Sequence, residues 1–182
     1  KNCISKRLKY YNFDNFNVTD INKKVVEIAK DYTKKCIEGK QENGLIITGD
    51  SGVGKTHLVA STSNELIERD KLVLMGRLTS LLDMIKETFK DNSRSENELI
   101  ELFSNIDMVV IDDLGTEKIS SWALDKLYTI IVNRNENKLP IIITTKFDKD
   151  SLLHRFYQSN DKELSKAIIQ KLNQLMPSKF GV

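Results

Sequence analysis

One glycine-rich segment of the sequence has the residue types and the spacing of a phosphate-binding loop. Residues 49–56 read Gly-Asp-Ser-Gly-Val-Gly-Lys-Thr and satisfy the pattern G-x-x-x-x-G-K-[ST] in full. Glycines allow a tight turn that points backbone N–H groups at phosphate oxygens, and the helix that follows offers its positive N-terminal end to the same anion. The pattern therefore predicts a nucleoside triphosphate site. Its predicted contacts are Gly49, Asp50, Ser51, Gly52, Val53, Gly54, Lys55, Thr56 and His57.

Two side chains at the end of this segment have separate predicted roles. The ammonium group of Lys55 is expected to reach the β- and γ-phosphates of ATP, which makes it a catalytic as well as a binding candidate. The hydroxyl of Thr56 is expected to bind Mg²⁺. The sequence therefore predicts ATP and Mg²⁺ as cofactors. His57 follows on the same helix and is expected to take no part in catalysis, because the nucleophile is a water activated by a carboxylate.

A pair of carboxylates follows another apolar run. Residues 107–113 read Asp-Met-Val-Val-Ile-Asp-Asp, a pattern typical of a buried strand that ends in acidic residues. Because nucleotide-bound Mg²⁺ prefers hard oxygen ligands, Asp112 is predicted to serve the metal, usually through water. Asp113 is predicted to polarise the water that attacks the γ-phosphate. A strand-ending turn is the other interpretation of these residues.

Regular elements are needed to bring these groups together. Four continuous apolar runs, at 45–48, 72–75, 108–111 and 141–144, predict strands covered on both faces, as in a parallel sheet. Between them, apolar residues three and four apart predict amphipathic helices at 21–36, 57–68, 78–89, 99–106, 123–131 and 164–175. Ser120 or Ser121 is expected to cap the fifth of these. The alternation of strands and helices predicts a three-layer α/β/α sandwich with right-handed crossovers.

Composition narrows the class of protein. A chain of 182 residues with 8 Gly and 2 Pro suits one domain without a flexible linker. Its net charge of +2 excludes a strongly basic nucleic-acid coat protein, and no apolar run approaches the ~20 residues of a membrane span. Cys3 and Cys36 are too few for a disulfide framework and predict free thiols in a reducing, cytoplasmic compartment.

The motifs together resemble a known family. The stretch from Phe13 to about Leu172 is similar to the AAA+ ATPase domain of bacterial helicase loaders, the DnaC and DnaI group, and to transposition helper ATPases of the IstB type. The resemblance rests on 12–16, Asn-Phe-Asp-Asn-Phe; on 49–58; on 111–117, Ile-Asp-Asp-Leu-Gly-Thr-Glu, with Ser-Ser-Trp at 120–122; on 133–140; and on Thr-Thr-Lys-Phe-Asp at 144–148. It implies a P-loop NTPase of the AAA+ (ASCE) kind with a central, mostly parallel sheet.

The resemblance also implies partners and a domain arrangement. Such proteins use ATP and Mg²⁺ to control the loading of a ring-shaped replicative helicase onto single-stranded DNA, and a homo-oligomer is also compatible. Residues 1–19 are expected to be a lead-in segment and residues 20–182 the AAA+ domain, with little or no C-terminal lid. The part that grips the helicase is expected to be an N-terminal domain outside this chain. Arg77, Lys86, Lys90 and Arg94 are candidates for DNA phosphates, although a solvated charged face is the simpler interpretation.

Three departures from the family pattern bear on turnover. Lys146 stands where the family usually carries an asparagine that senses the γ-phosphate, and it becomes the candidate catalytic sensor here. As a longer point charge, it is expected to pair either with phosphate or with Asp113. Ala167 and Lys171 stand where the family has two arginines, one of which is thought to reach a neighbouring ATP site. Residues 177–182 are expected to leave room for a short fifth strand but not for a helical lid. We therefore expect well-preserved ATP binding and slow hydrolysis.

Some residues and functions keep two interpretations. Phe13 and Phe16 either lie near the adenine, as the resemblance implies, or anchor the core. Arg134 either contacts a neighbouring subunit or offsets charge at a helix C-terminus. At the level of function, a helicase loader is favoured. A transposition helper and a nucleotide-binding scaffold with very slow hydrolysis are the alternatives, and a small-molecule kinase fits the carboxylate pair poorly.

Overall fold

A parallel five-stranded sheet forms the centre of the described part of the chain. The computed structural model describes residues 4–40, 44–89, 100, 101, 103, 105–159, 161–175 and 179–181, and only the backbone of 85–89, 175 and 179–181. The strands are β1 (Leu45–Thr48), β2 (Val73–Gly76), β3 (Met108–Ile111), β4 (Ile141–Thr145) and β5 (Lys179–Gly181). Their order across the sheet is β2-β3-β4-β1-β5, and every pairing is parallel. The carboxyl ends of β1, β3 and β4, which carry the predicted site, therefore meet at one edge of the sheet.

Helices cover both faces of the sheet. They are α1 (Lys23–Ile37), α2 (Lys55–Ile67), α3 (Leu78–Phe89), α4 (Ser121–Glu136), α5 (Lys149–Tyr157) and α6 (Lys162–Leu175), with a 3₁₀ helix at Lys6–Tyr10. The described residues 100, 101, 103 and 105 are also helical, within the predicted helix 99–106. Ser120 caps α4, because its hydroxyl accepts a hydrogen bond of 3.2 Å from the backbone N–H of Ala123.

The core consists of two apolar layers, one on each side of the sheet. Ile46 of β1 and Val109 of β3 pack with α3, α4, α5 and α6, whereas their neighbours Ile47 and Val110 pack with α1 and α2. This alternation follows from the period of two in a strand, which sends successive side chains to opposite faces. Continuous apolar runs are therefore buried on both sides, and the predicted three-layer α/β/α architecture is confirmed.

Two details differ from the sequence prediction. The second strand begins at Val73 rather than Leu72, because Leu72 is half exposed and its N–H donates to the side chain of Asp107 over 2.8 Å instead of to the sheet. The helix α5 was not predicted, and it buries only Leu152 and Phe156. No helix of the described residues combines the length and the apolar character that a bilayer crossing requires.

Candidate functional site

The phosphate-binding loop spans the gap between the end of β1 and the start of α2. Gly52 and Gly54 have φ values of +88° and +102°, in the left-handed region that glycine adopts without strain. Gly54 is the residue just before α2, and a Cβ at this position would lie 3.0 Å from the ring of Phe16. The last glycine of the motif is therefore required both by its backbone angle and by its close packing.

The predicted phosphate-binding lysine lies inside the loop. Lys55 is only 7% exposed, and its Nζ donates hydrogen bonds of 2.7 Å to the carbonyl oxygens of Gly49 and Asp50. Burial lowers the pKa of Lys55, while the carboxylates of Asp113, Asp112 and Asp50 act to raise it. The ammonium group is thus folded back onto the loop at the start of α2.

The two predicted metal-binding residues touch each other. The hydroxyl of Thr56, in the first turn of α2, donates to Oδ2 of Asp112 over 2.8 Å. A hydroxyl and a carboxylate so placed are hard oxygen donors of the kind that Mg²⁺ prefers. These residues therefore fit the predicted ion.

A residue of β4 completes this contact. The hydroxyl of Thr144 donates to Oδ1 of Asp112 over 2.6 Å and accepts a bond of 2.8 Å from the N–H of Asp113. The carbonyl of Thr144 also accepts from the N–H of Leu114 over 2.8 Å. The sequence indicated a polar residue at this strand end without assigning Thr144 this role, since the contact joins residues 32 positions apart. Thr144 fixes the orientation of the Asp112 carboxylate.

Asp113 lies on the turn directly after Asp112. Its φ is +60°, a left-handed conformation that Asp tolerates better than most residues. Its carboxylate lies 3.8 Å from the guanidinium of Arg77, which also lies 3.6 Å from Glu117. Arg77, one of the predicted DNA contacts, is thus half exposed beside the predicted catalytic carboxylate. The side chain of Lys86, and all of Lys90 and Arg94, lie outside the described residues.

Lys146 lies one residue beyond β4 at the same edge of the sheet. It is exposed, and its Nζ lies 5.3 Å from the centre of the Phe147 ring. Its positive charge contributes to the lowered pKa of Lys55, after burial of that group. The guanidinium of Arg155 lies 5.2 Å from the same ring and donates to the carbonyl oxygens of Gly115 and Thr116.

A pocket opens beside the phosphate loop. It has a volume of about 350 Å³ and is lined on one side by the loop and on the other by the chain before α1. Its walls are Phe16, Asn17, Thr19, Ile21, Asn22, Gly52, Val53, Gly54 and His57. Phe16 is buried and lines this pocket, whereas Phe13 lies 5.6 Å under the ammonium of Lys30. Of the two aromatic candidates, the structure brings Phe16 to the loop.

Arg134 corrects one interpretation. It was a candidate contact to a neighbouring subunit, but it is 0% exposed. Its guanidinium donates to the carbonyl oxygens of Phe103, Ile106, Asp107 and Pro140 over 2.6–3.2 Å. A side chain enclosed in this way cannot reach another subunit, so the inter-subunit interpretation is wrong.

The strand order and the site together define a class. In this parallel sheet β4 lies between β3 and β1, the strand that enters the phosphate loop, and the carboxylate that directly follows β3 is bonded to the loop threonine. This is the arrangement of a P-loop nucleotide-binding protein of the AAA+ type. A model of the family "IstB-like ATP binding protein" matches residues 3–175. The chain belongs to this family.

Two curated relatives indicate where in the family the chain lies. It is 29% identical over 140 residues to the replicative helicase loader DnaI of Bacillus subtilis (strain 168), across 75% of this chain and 44% of that protein. It is 32% identical over 108 residues to the replicative helicase loader DnaC of Escherichia coli (strain K12), across 59% of this chain and 44% of that protein. The chain therefore spans less than half the length of these relatives.

Solved structures share the fold. A crystal structure of DnaI matches with a TM-score of 0.80 at 24% identity, over 99% of this chain and 95% of that one. A structure of the replication initiator DnaA bound to AMPPCP and single-stranded DNA matches with a TM-score of 0.73 at 20% identity, over 94% of this chain and 49% of that one. These matches show that the chain shares the fold of DnaI and DnaA.

Proposed function

We propose that this chain is the ATP-hydrolysing AAA+ domain of a replicative helicase loader, which uses ATP to control delivery of a helicase onto single-stranded DNA in the cytoplasm. The observation that carries the proposal is the hydrogen bond from Thr56 to Asp112, whose other carboxylate oxygen accepts a hydrogen bond from Thr144. It supports a complete magnesium–phosphate site rather than a glycine-rich turn. The similarity to DnaI and DnaC supports the choice of the helicase as partner.

The geometry supports a division of roles among the site residues. The backbone of Gly49 to Thr56 would hold the phosphates, with Lys55 exchanging its bonds to two loop carbonyls for phosphate oxygens. Thr56 and Asp112 would hold Mg²⁺, which when bound neutralises phosphate charge. The pocket beside Phe16 would receive the base.

Hydrolysis would be assigned to Asp113 and Lys146. The Asp113 carboxylate would accept a proton from the attacking water, whose oxygen forms a bond to the γ-phosphorus as the bond to the β-phosphate oxygen breaks, releasing ADP and phosphate. Lys146 would interact with the γ-phosphate, because it follows β4 at the edge where β1 and β3 also end and its side chain is exposed there. His57 would serve the nucleotide through the base pocket that it lines.

A transposition helper remains the second candidate, because the matching family model is named for the IstB type. The same nucleotide chemistry would serve either function, so the partner decides between them. A nucleotide-binding scaffold with very slow hydrolysis is the third candidate, since Ala167 and Lys171 replace arginines of the family pattern.

The decisive experiment uses the full-length protein. ATP turnover is measured with and without single-stranded DNA, and the protein is then mixed separately with purified replicative helicase and with purified IS21-type transposase. A loader is expected to hydrolyse ATP slowly, to respond to single-stranded DNA and to bind the helicase. Binding to the transposase alone would favour the helper, and ATP binding without any turnover would favour the scaffold.

A further inference from the structure

His57 is the centre of a cluster that joins α2 to the chain before α1. Its Nε2 lies 2.8 Å from Oδ1 of Asn15 and 3.2 Å from the carbonyl oxygen of Asn12. Both partners are acceptors, since that Oδ1 also receives the N–H of Asn12 and the other side-chain atom of Asn15 donates to the carbonyl of Tyr10. The proton of the imidazole therefore resides on Nε2, and His57 donates.

Two aromatic rings enclose the same imidazole. The ring of Tyr11 stacks on it at 4.2 Å with an angle of 17°, and the ring of Phe16 meets it edge-on at 5.0 Å. Such ring pairs contribute beyond the area they bury. The imidazole is thus held by two hydrogen-bond acceptors and two rings, all of them from residues 11–16.

The segment 4–16 is also fixed at a second point of α2. Asn64 lies seven residues after His57 on the same face of the helix and donates to the carbonyl oxygens of Leu8 and Tyr11 over 2.8 and 2.7 Å. Asn64 holds the early part of the segment, whereas His57 holds the part that reaches the phosphate loop. The attachment at His57 is therefore the one next to the nucleotide site.

Phe16 links the contacts of His57 to the pocket, because its ring touches the imidazole and also lines the pocket. Its ring packs so closely on the last glycine of the loop that a Cβ at Gly54 would lie 3.0 Å away, and it lines the pocket with Val53 and His57. Phe16, the last residue of segment 4–16, therefore forms part of one pocket wall, and the residues that hold its imidazole neighbour precede it in the same segment.

We propose that His57 is a positioning residue that anchors segment 4–16 and thereby holds Phe16 in the wall of the base pocket, so that docking of this segment and binding of the nucleotide base are one coupled equilibrium. This inference rests on the proposed function, because it takes the pocket as the base site. Coupling of this kind is reciprocal: a base in the pocket stabilises the docked segment, and release of the segment weakens base binding. The phosphates are held by the loop independently.

The test separates the base from the phosphates. Equilibrium binding of Mg²⁺-ATP and of Mg²⁺-tripolyphosphate is measured for the full chain and for His57→Ala, with His154→Ala as the matched control because His154 is an exposed histidine on α5. His57→Ala is expected to weaken ATP binding about tenfold, the equivalent of one lost hydrogen bond and ring contact, and to leave tripolyphosphate binding within about twofold. Equal losses for both ligands, or none for ATP, would overturn the proposal.

Asn15→Ala distinguishes positioning from direct contact. Asn15 is exposed and does not line the pocket. It nevertheless accepts the shorter of the two hydrogen bonds of His57. The proposal requires Asn15→Ala to show the same ATP-selective loss. Normal ATP binding by this variant would mean that His57 acts on the nucleotide alone and would overturn the role of the segment.

Limited chymotrypsin digestion reports on the part of the segment that His57 holds. Cleavage after Tyr11 and Phe13 is expected to be slowed by ATP in the full chain and to be insensitive to ATP in His57→Ala. Without nucleotide, His57→Ala is still expected to be cut faster at these sites than His154→Ala, and equal rates would contradict the anchoring. Failure of the full chain to bind ATP would instead contradict the proposed function.

Discussion

The hydroxyl of Thr56 donates to Oδ2 of Asp112 over 2.8 Å, and this bond joins the first turn of α2 to the residue that follows β3. The two residues are 56 positions apart in the chain. Because Thr144 bonds the other carboxylate oxygen of Asp112, the three elements that meet at this edge share one hydrogen-bonded group. Under the proposed function, a divalent ion brought here with a nucleotide would find both oxygen donors already oriented.

Asp112→Asn should weaken the magnesium dependence of ATP binding. The amide keeps the shape of the side chain but removes the charge that attracts a cation, so we expect the Mg²⁺ concentration for half-saturation to rise about 10- to 100-fold. The measurement is a Mg²⁺ titration at fixed ATP. Thr56→Ser keeps the hydroxyl, so its Mg²⁺ concentration for half-saturation should stay close to that of the parent. Thr56→Val removes the hydroxyl and should raise this concentration as Asp112→Asn does. An unchanged Mg²⁺ requirement in Asp112→Asn would contradict the metal site.

Lys55→Ala should abolish ATP binding at ordinary concentrations. Removal of a buried ammonium that would meet phosphate oxygens is expected to cost about 2–5 kcal/mol of binding free energy, or at least about 30-fold in affinity. Equilibrium binding of a fluorescent ATP analogue measures this. Lys162→Ala is the control, because Lys162 is exposed at the start of α6 and far along the chain from the loop. Normal binding by Lys55→Ala would show that the phosphates lie elsewhere.

Asp113→Asn should separate binding from hydrolysis. The Asp113 carboxylate lies 3.8 Å from Arg77, and among the described residues no hydrogen bond joins it to the phosphate-binding loop. ATP affinity is therefore expected to stay within about twofold. Loss of the proton acceptor is expected to lower turnover about 100-fold or more. Single-turnover hydrolysis with saturating ATP makes the comparison. If turnover were unaffected, another group would have to accept the proton.

The local motifs were predictable from the sequence, and contacts between distant strands were not. Residues 49–56 and 107–113 each contain their chemistry within a few consecutive positions, so pattern alone placed Lys55, Thr56 and Asp112 correctly at one edge of the sheet. The role of Thr144 depends on β3 and β4 being neighbours in register, with Ile111 opposite Ile143. No local pattern carries that information.

Two other features show the same limit. The helix α5 has only nine residues and two buried positions, so its apolar periodicity is weak, although Asp148 before it accepts from the N–H of Ser151 over 2.7 Å and is a helix-start signal. Arg134 lies in the last turn of α4, where an arginine ordinarily faces solvent. Its burial arises from the segments that precede β3 and β4, which come together only in the folded chain.

Cys36 should make the stability of the fold depend on alkaline pH. Burial raises the pKa of its thiol to about 12, above the roughly 8.5 of an unfolded thiol. Since the folded pKa is the higher one, the contribution of this thiol to stability is complete below the unfolded pKa and is lost as pH rises through the folded pKa. Between pH 8 and pH 10 the free energy of unfolding should fall by up to about 2 kcal/mol from this group.

The comparison variant for this effect is Cys36→Ala. Urea unfolding is measured at pH 8 and at pH 10 for both proteins, and the difference of the two differences reports the thiol together with its coupling to Tyr32, whose pKa is raised by burial and by Cys36. The parent should lose more stability than Cys36→Ala. Equal losses would mean that the thiol ionises in the folded protein as easily as in the unfolded chain.

Arg134→Met should destabilise the fold without affecting the nucleotide site. Four carbonyl oxygens, of Phe103, Ile106, Asp107 and Pro140, lose their donor inside the protein, which is expected to lower the free energy of unfolding by about 3–5 kcal/mol. Urea unfolding measures the loss, with Arg7→Met at an exposed position as the control. Arg134→Lys should recover only part of it, since an ammonium has three donors and lacks the planar fork.

The same variant distinguishes the two roles considered for this arginine. The four carbonyls belong to the helical residue Phe103 and to residues just before β3 and β4, so Arg134 joins the ends of these strands opposite to the phosphate loop. ATP affinity measured below the unfolding transition should therefore be the same for Arg134→Lys as for the parent. If Arg134 contacted a neighbouring subunit, Arg134→Met would instead leave the free energy of unfolding of the monomer unchanged and would alter assembly or turnover. That result would contradict the enclosure of the guanidinium by backbone carbonyls.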